Sequence, residues 1–483
     1  MGSILYIIIA GVSLAMFVVK REQKLALLVF YSMCLSSVRT DIYIGHSLLS
    51  PTICFLLSEI SQLKSYYTQL KHTPLFYLLM MMAVATFVVY FKSPHLQGAK
   101  GLYTILREDL ISKYFVILYA LFSLKSTKGL KVVVNTAVIS IAVLTAFGIL
   151  NLITRHAMFV DWAIEGAATL TDITEQGGER FTDDPTRFRV QSMHLNPFTY
   201  GYVCMFASVL FIYVWEKHIV EKSKLIMVLM CCAFGIITCA SRTVMLCSLF
   251  SYAVYYALTR NMAKKVLHIM AIGIMLYVCY LCIPVVHDQF QLIGSMFDKE
   301  ADSDVGGSSL EMRLLQLSTV LYYIQENILF GRGYGFFNID LGWSDGLQGL
   351  VDKDLWGLEG VHLGLLLERG LVGLIVYVAF WTSMLYIFYQ YRKTDVQTYA
   401  LCVSITAGYL LFSFMTGELG SLFFVMLILG TGVKMHFIKE IQNKYNGSGV
   451  NNEGTRITPP ISPNSTMPRF VYCAIYRGCL SRF

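Results

Sequence analysis

Apolar runs of about 16–22 residues recur along this chain, each closed by charged clusters, and that spacing limits the fold more than any other feature. A helix of about 20 residues crosses the hydrocarbon core of a bilayer. A soluble chain of 483 residues, 56% hydrophobic and only 14% charged, could not keep so much apolar surface from water. The runs are continuous, not alternating, which argues against a transmembrane β-barrel. The expected class is an all-α polytopic membrane protein.

Candidate spans lie near 4–19, 24–38, 42–62, 74–91, 109–124, 132–154, 199–215, 225–241, 243–258, 266–286, 370–390, 398–416 and 419–437, giving about 12–13 transmembrane helices. The second and third are the least regular, because Arg39 and Asp41 nearly abut them. The first run has no charged leader and no small-residue cleavage site, so it reads as a retained span. From Leu225 to Leu258 the chain is apolar for about 34 residues, broken only by Ser241-Arg242. One straight helix of that length would overshoot the bilayer, so two spans with a tight turn are expected.

Every second connection is short and basic: Lys20 to Lys24, Lys64 to Lys71, Lys125 to Lys131, Lys217 to Lys224, Arg260 to Lys265, Arg392-Lys393, and Lys434 to Lys444. The positive-inside rule places this set in the cytoplasm. The other set, including 92–108, 155–198 and 287–369, then faces outward, with the N-terminus outside and the C-terminus inside. The expected organisation is N-terminal transmembrane helices over 1–154, an outer loop at 155–198, central helices over 199–286, a large outer loop at 287–369, C-terminal helices over 370–437, and a tail at 438–483. The tail is rich in Asn, Gly, Ser, Thr and Pro, a composition that cannot bury a core and is expected to be disordered.

Some chemistries find no support. The net charge of +7 is explained by lysines flanking the spans and makes no case for nucleic acid. Ten of the twelve Cys fall in apolar runs, so no disulfide framework or zinc spacing is implied. Asp183-Asp184 and Asp302-Ser303-Asp304 read as solvated loop carboxylates without a ligand set. There is no GxxxxGK[ST], GxSxG or HExxH. No metal and no cofactor are expected.

Four arginines nevertheless gather on outward connections near membrane boundaries: Arg189, Arg242, Arg313 and Arg332. A guanidinium matches phosphate geometry bidentately, so such a group suggests an anionic headgroup ligand. The same placement also fits arginines that snorkel onto ordinary anionic lipid. His362 lies at the head of a Leu-rich apolar run. Its unperturbed pKa of about 6.5 suits a base at neutral pH, while a lone His also fits a structural role.

These residues, in order, resemble a known pattern. RVQSMHLNPFTYG at 189–201, Ser241-Arg242, Arg313 followed by IQENILFGRGYGFF at 324–337, and VHLGLLLERGLVGL at 361–374 are similar to four local signatures of the O-antigen polymerase/ligase superfamily of membrane glycosyltransferases. The resemblance covers about residues 185–390, and the N-terminal spans are generic. Phe198 and Leu363 stand where the family has Asn, and Ile328 where it has Pro. The resemblance implies a GT-C-like membrane fold in a bacterial inner membrane, with the active site on the periplasmic side. It implies an undecaprenyl-diphosphate-linked oligosaccharide as donor, metal-independent inverting transfer, and a chain-length regulator protein as partner. Carried over, Arg242 and Arg313 would hold the diphosphate, with Arg189 an accessory contact. His362 would orient or deprotonate the acceptor hydroxyl, and Arg332 and Glu368 are accessory candidates.

Three readings compete: a polymerase of glycan repeat units, a ligase that moves polymer onto lipid A core, and a polysaccharide lipid flippase or other transporter. Transporters place polar residues near the bilayer midplane, whereas the Arg and His here lie toward the outer loops. Between the first two, the 155–198 loop carries seven acids against four Arg, an arm that would repel a phosphorylated lipid A core, so a polymerase is expected.

Overall fold

A small polar residue followed by proline starts several helices. Thr73 Oγ1 accepts the Phe76 amide at 3.3 Å ahead of Pro74, and Asn196 Oδ1 accepts the Thr199 amide at 2.8 Å ahead of Pro197. Ser50 does the same for Ile53 at 3.4 Å ahead of Pro51. Each cap satisfies an amide that has no partner within its helix, and proline gives up no bond at the first helical position.

A computed structural model describes residues 2–35, 42–44, 47–94, 98–159, 161–162, 188–259, 281, 310–342, 351–355, 358, 360–416 and 422–447. The N-terminal half contains α1 (Gly2–Val18), α2 (Arg21–Phe30), the antiparallel pair β1 (Ile42–Ile44) and β2 (Ser47–Leu49), α3 (Pro51–Ser58), α4 (Leu63–Leu70) and α5 (Pro74–Lys92). Then come α6 (Gly98–Ile105), a wide π-helical stretch at Leu106–Tyr114, α7 (Val116–Ser123) and α8 (Thr127–Thr154). The C-terminal half contains α9 (Pro197–Glu216), α10 (Lys222–Thr238), α11 (Arg242–Thr259), α12 (Leu310–Ile324), α13 (Val361–Gln390), α14 (Val396–Met415) and α15 (Leu422–Gly447).

Among the described residues, six helices are long and apolar enough to cross a membrane: α5, α8, α9, α13, α14 and α15. The chain is a helical, membrane-embedded protein. Burial divides these six. In their most apolar windows, 83% of α9 and 78% of α15 are buried, against 28% of α13 and 33% of α5. The first pair is central; the second leaves most of its apolar surface at the rim, where lipid would cover it. In lipid, apolar burial does not drive helices together, so small residues that allow close approach matter more. Gly430 of α15 lies against α7, where an added Cβ would sit 2.5 Å from the Ile117 carbonyl oxygen.

Several of the basic connections, among the described residues, lie at one end of the bundle. Arg21 and Lys24 reach Glu59 at 2.9 and 2.7 Å, and the Tyr66 hydroxyl donates to the same carboxylate at 2.7 Å. Tyr66 stacks on Phe122, and Ser126 donates to Glu22 at 3.0 Å. Lys217 and Lys439 converge on Asp395 at 2.8 and 3.3 Å. Further contacts at this end fix the polarity. Tyr213 shares a hydrogen bond of 3.2 Å with Thr398, and Tyr255 donates to Glu216 at 2.9 Å. The end of α11 therefore lies beside the start of α14, and the two helices run antiparallel. Arg242, which opens α11, shares the opposite end with the last turn of α14.

Several expected spans are not single long helices. The 42–62 stretch is a strand pair, the eight-residue α3 and a 3-10 turn at Ile60–Gln62. Pro51 restarts the chain there and Glu59 is drawn into the ion cluster, so no continuous helix crosses. The 24–38 run gives α2 and a π turn at Tyr31–Leu35, and its Lys24 is buried against Glu59. The 109–124 run begins inside the π-helical stretch, whose Asp109 and Lys113 are paired. In the expected outer loop at 287–369, α12 is helical and α13 begins at Val361, nine residues before the expected 370. The span at 266–286, most of the 155–198 loop, the acidic pieces at 183–184 and 302–304, and the tail beyond 447 lie outside the described residues.

Candidate functional site

At the end of the bundle opposite the basic connections, α14 terminates beside α12 and the start of α13. Arg313 of α12 donates through Nη2 to the Met415 carbonyl at 3.4 Å. The last carbonyls of a helix lack intrahelical donors and carry partial negative charge, so a guanidinium is favoured there. His362, the second residue of α13, stacks on Phe414 with ring centroids 4.8 Å apart and planes 11° from parallel. Gly360 makes this possible. It has φ +95°, and a Cβ there would lie 2.8 Å from His362 Nδ1 and 3.2 Å from the Phe414 carbonyl oxygen. His362 Nδ1 is enclosed without a hydrogen-bond partner among the described residues, and the Arg313 charge acts on the ring. Two sequence-expected residues, 49 positions apart (362 − 313), thus meet at one helix terminus.

The other two arginines both lie at the turn between α10 and α11. The Val190 amide donates to the Thr238 carbonyl at 3.0 Å, which carries Arg189 to the turn between α10 and α11, and Arg242 is the first residue of α11. Ser241 caps α11 by accepting the Val244 amide at 3.3 Å. The Arg189 guanidinium lies 6.0 Å from the Phe198 ring centroid. This turn is joined to the end of α14 through the core. The Phe412 ring sits 4.4 Å from Tyr202, and the neighbouring Gly201 packs on Cys239 and Val244.

A second histidine, His194, lies in the segment leading into α9 and is fully buried. Burial holds its imidazole down to about 3, so it is neutral and a weak base at neutral pH. The partly buried His362 is the better placed of the two for proton transfer.

Arg332 and Glu368 take part in a different arrangement. Arg332 pairs with Glu326 and lies over the Phe336 ring at 5.5 Å. Glu368 Oε1 accepts the Gly335 amide at 3.2 Å. Both belong to a junction where the FGRGYG loop enters a break in α13. The break is at Gly370, with φ +59° and ψ −159°. It frees the Leu367 and Glu368 carbonyls, which accept the Arg332 and Gly333 amides at 2.9 Å each. Beyond the break, the Leu371 and Val372 amides donate to the Ile328 and Leu329 carbonyls at 2.9 and 3.0 Å. The backbones touch, since a Cβ on Gly331 would lie 2.6 Å from the Gly370 nitrogen, so both glycines are required.

Neither a protein-family model nor a curated protein matches this chain. The site is therefore argued from its own chemistry. Among the described residues, no three His, Cys, Asp or Glu side chains come together as a metal set. What the end opposite the basic connections carries is Arg313 and His362 at the terminus of α14, with Arg189 and Arg242 beside the turn that opens α11.

Sequence reasoning missed the charged residues behind the junction. Arg369 donates to Asp109 at 2.7 Å, Lys113 donates to the other Asp109 oxygen at 2.8 Å, and Arg369 lies 4.8 Å from the Tyr334 ring centroid. The signal was present as Asp109 and Lys113 one turn apart at the start of an apolar run, and as Arg369 beside the Glu368 that drew notice. Charge in a membrane segment is costly enough to mark a function or a specific partner.

Proposed function

We propose that this chain is a membrane glycosyltransferase that polymerises polyprenyl-diphosphate-linked oligosaccharide units at the outer face of a bacterial inner membrane. The observation that carries the reading is the convergence of Arg313 and His362 on the end of α14, on the same side of the bundle as Arg189 and Arg242.

The chemistry needs little more. An acceptor sugar hydroxyl attacks the anomeric carbon of the donor, and the bond from that carbon to the diphosphate oxygen breaks. The hydroxyl proton passes to an unprotonated His362 ring nitrogen, and the lipid diphosphate leaves. Arg242 and Arg313 balance the charge that develops on it, the role that fixed donors play at a leaving oxyanion. A single in-line displacement inverts the anomeric centre. Loss of a good leaving group calls mainly for charge stabilisation, while the weakly nucleophilic hydroxyl calls for a base near its own proton.

The test is genetic and chemical together. A clean deletion is expected to leave core lipid A bearing one repeat unit, with long chains absent. His362→Ala, expressed in the deletion strain at the wild-type level, is expected to reproduce that pattern while lipid-linked donor still binds. Bare core with accumulating lipid-linked polymer would instead identify a ligase. Accumulation of lipid-linked units on the inner leaflet would identify a flippase.

A further inference from the structure

Resting on the reading just given, we propose that Asp109 and Arg369 are positioning residues for the transfer reaction: their buried ion pair sets the angle of α13 at its Gly370 break and so places His362 against the acceptor.

The argument begins with the break itself. A helix interrupted at a glycine in the left-handed region has no intrahelical bonds to hold the angle between its two halves. Here the loop from Ile328 to Gly335 supplies substitute bonds on both sides. Those bonds need the loop to stay in register. Ser93 Oγ accepts the Tyr334 amide at 2.8 Å and so ties the loop to the end of α5. On its other side the Tyr334 ring is covered by the Arg369 guanidinium. Arg369 is thus the last residue before the break and the partner of the loop that bridges it.

Its orientation is set from outside α13. Asp109, on the π-helical stretch, uses one carboxylate oxygen for Arg369 and the other for Lys113. Arg369 and Asp109 side chains are only 11% and 8% exposed, so the pair is barely screened by water. Gly373 leaves room for the Arg369 side chain to fold along the second half of the helix, since a Cβ there would meet Arg369 atoms, with Cδ at 3.2 Å. One carboxylate on a neighbouring segment therefore holds a guanidinium that spans the break and clamps the bridging loop. A π-helical stretch is a costly conformation that recurs at functional sites, and here it presents Asp109.

The consequence for the site is geometric. His362 lies seven residues before Arg369 (369 − 362), a lever of about 10 Å at helical rise. A change of about 10° at the break swings the ring by roughly 2 Å over that lever. A misplacement near 1 Å can cost about a hundredfold in rate. Arg242 and Arg313 stand on α11 and α12, outside α13, so the clamp acts on donor binding only indirectly.

The experiment uses the full chain in nanodiscs, with lipid-linked oligosaccharide extracted from cells lacking the gene as the probe. Turnover and donor KM are measured for wild type, Asp109→Asn, Asp109→Glu, Arg369→Lys and His362→Ala. Asp109→Asn is expected to lower kcat by about 10–100-fold with donor KM changed by less than about twofold. Asp109→Glu is expected to recover most of that rate. Arg369→Lys, which keeps the charge but loses the planar group over Tyr334, is expected to fall between them and keeps the test alive if Asp109→Asn fails to fold. Wild-type kcat in Arg369→Lys, or kcat and donor KM worsening together, overturns the clamp. If those results accompany an inactive His362→Ala, only the clamp is lost. Full turnover in His362→Ala, or none in wild type, removes the glycosyltransferase reading and the clamp with it.

Discussion

Arg242 and Arg313 are proposed to do the same work from different settings. Arg242 opens α11 beside a capped turn, and Arg313 reaches across from α12 to the end of α14. A helix start and a helix end have opposite partial charges, so the backbone favours the Arg313 cation and disfavours the Arg242 cation. A diphosphate bound there would offset that unfavourable term. The planar guanidinium can engage two phosphate oxygens at once, which a lysine ammonium cannot. Arg242→Lys and Arg313→Lys are each expected to reduce glycan chain formation at least tenfold while membrane expression stays normal. Glycan length distributions on gels, read beside immunoblots, check this. Wild-type length in both lysine variants would leave Arg242 and Arg313 as lipid anchors.

Among the elements, α14 is the one most tied to others. Its last turn carries the Arg313 and His362 contacts, and its first turn is held by Asp395. Asp395 caps the helix by accepting the Thr398 hydroxyl at 2.8 Å and gathers Lys217 from the end of α9 and Lys439 from α15. Burial pushes the Asp395 carboxyl up, but the hydrogen bonds from Lys217 and Thr398 and the two ammonium charges outweigh it, so its pKa lies below the usual carboxylate range. A carboxyl held low in the folded state contributes stability above its unfolded value, near 3.9, and loses it as pH falls through the folded value. Asp395→Asn keeps a competent cap and removes the charge. It is expected to destabilise the protein by about 1–3 kcal/mol at pH 7. The gap to wild type should stay constant from about pH 7 to 5 and close below about pH 4. Thermal unfolding of the two proteins in nanodiscs across that range checks the effect, and a gap unchanged at pH 3 would assign the loss to packing instead of charge.

At the scale of the molecule, two chemically different ends face each other across the helices. One end gathers Arg21, Lys24, Lys217 and Lys439 with Glu59 and Asp395, and the other gathers Arg189, Arg242, Arg313 and His362. The proposed orientation puts the first in the cytoplasm because lysine-rich connections are retained there. Single cysteines at exposed Ser318 of α12 and exposed Ser223 of α10, placed in a chain without its native thiols, report the two ends separately. The cysteine at 318 is expected to react with an impermeant thiol reagent in cells opened only at the outer membrane, and the cysteine at 223 only after lysis. The reverse pattern would move the site to the cytoplasm and end the proposal of a lipid-linked donor used outside.

The amino-acid sequence by itself determined the class, since apolar run length and flanking charge are local properties and a bilayer reads them locally. The same locality made the ends of α9 and α14 legible to within two residues, whereas α15 runs on to Gly447, ten residues past the expected 437. Arg313 and His362, which meet at the end of α14, also stood out in the sequence, because a charge or imidazole beside an apolar run is a local feature. Only the tertiary structure decided that 42–62 is not one helix, that His362 lies inside α13 and stacks on Phe414, and that Arg332 and Glu368 serve the junction at Gly370. It alone paired Arg369 with Asp109, 260 residues apart along the chain. Which carboxylate a buried arginine meets depends on which helices pack together, and no periodicity within one helix carries that information.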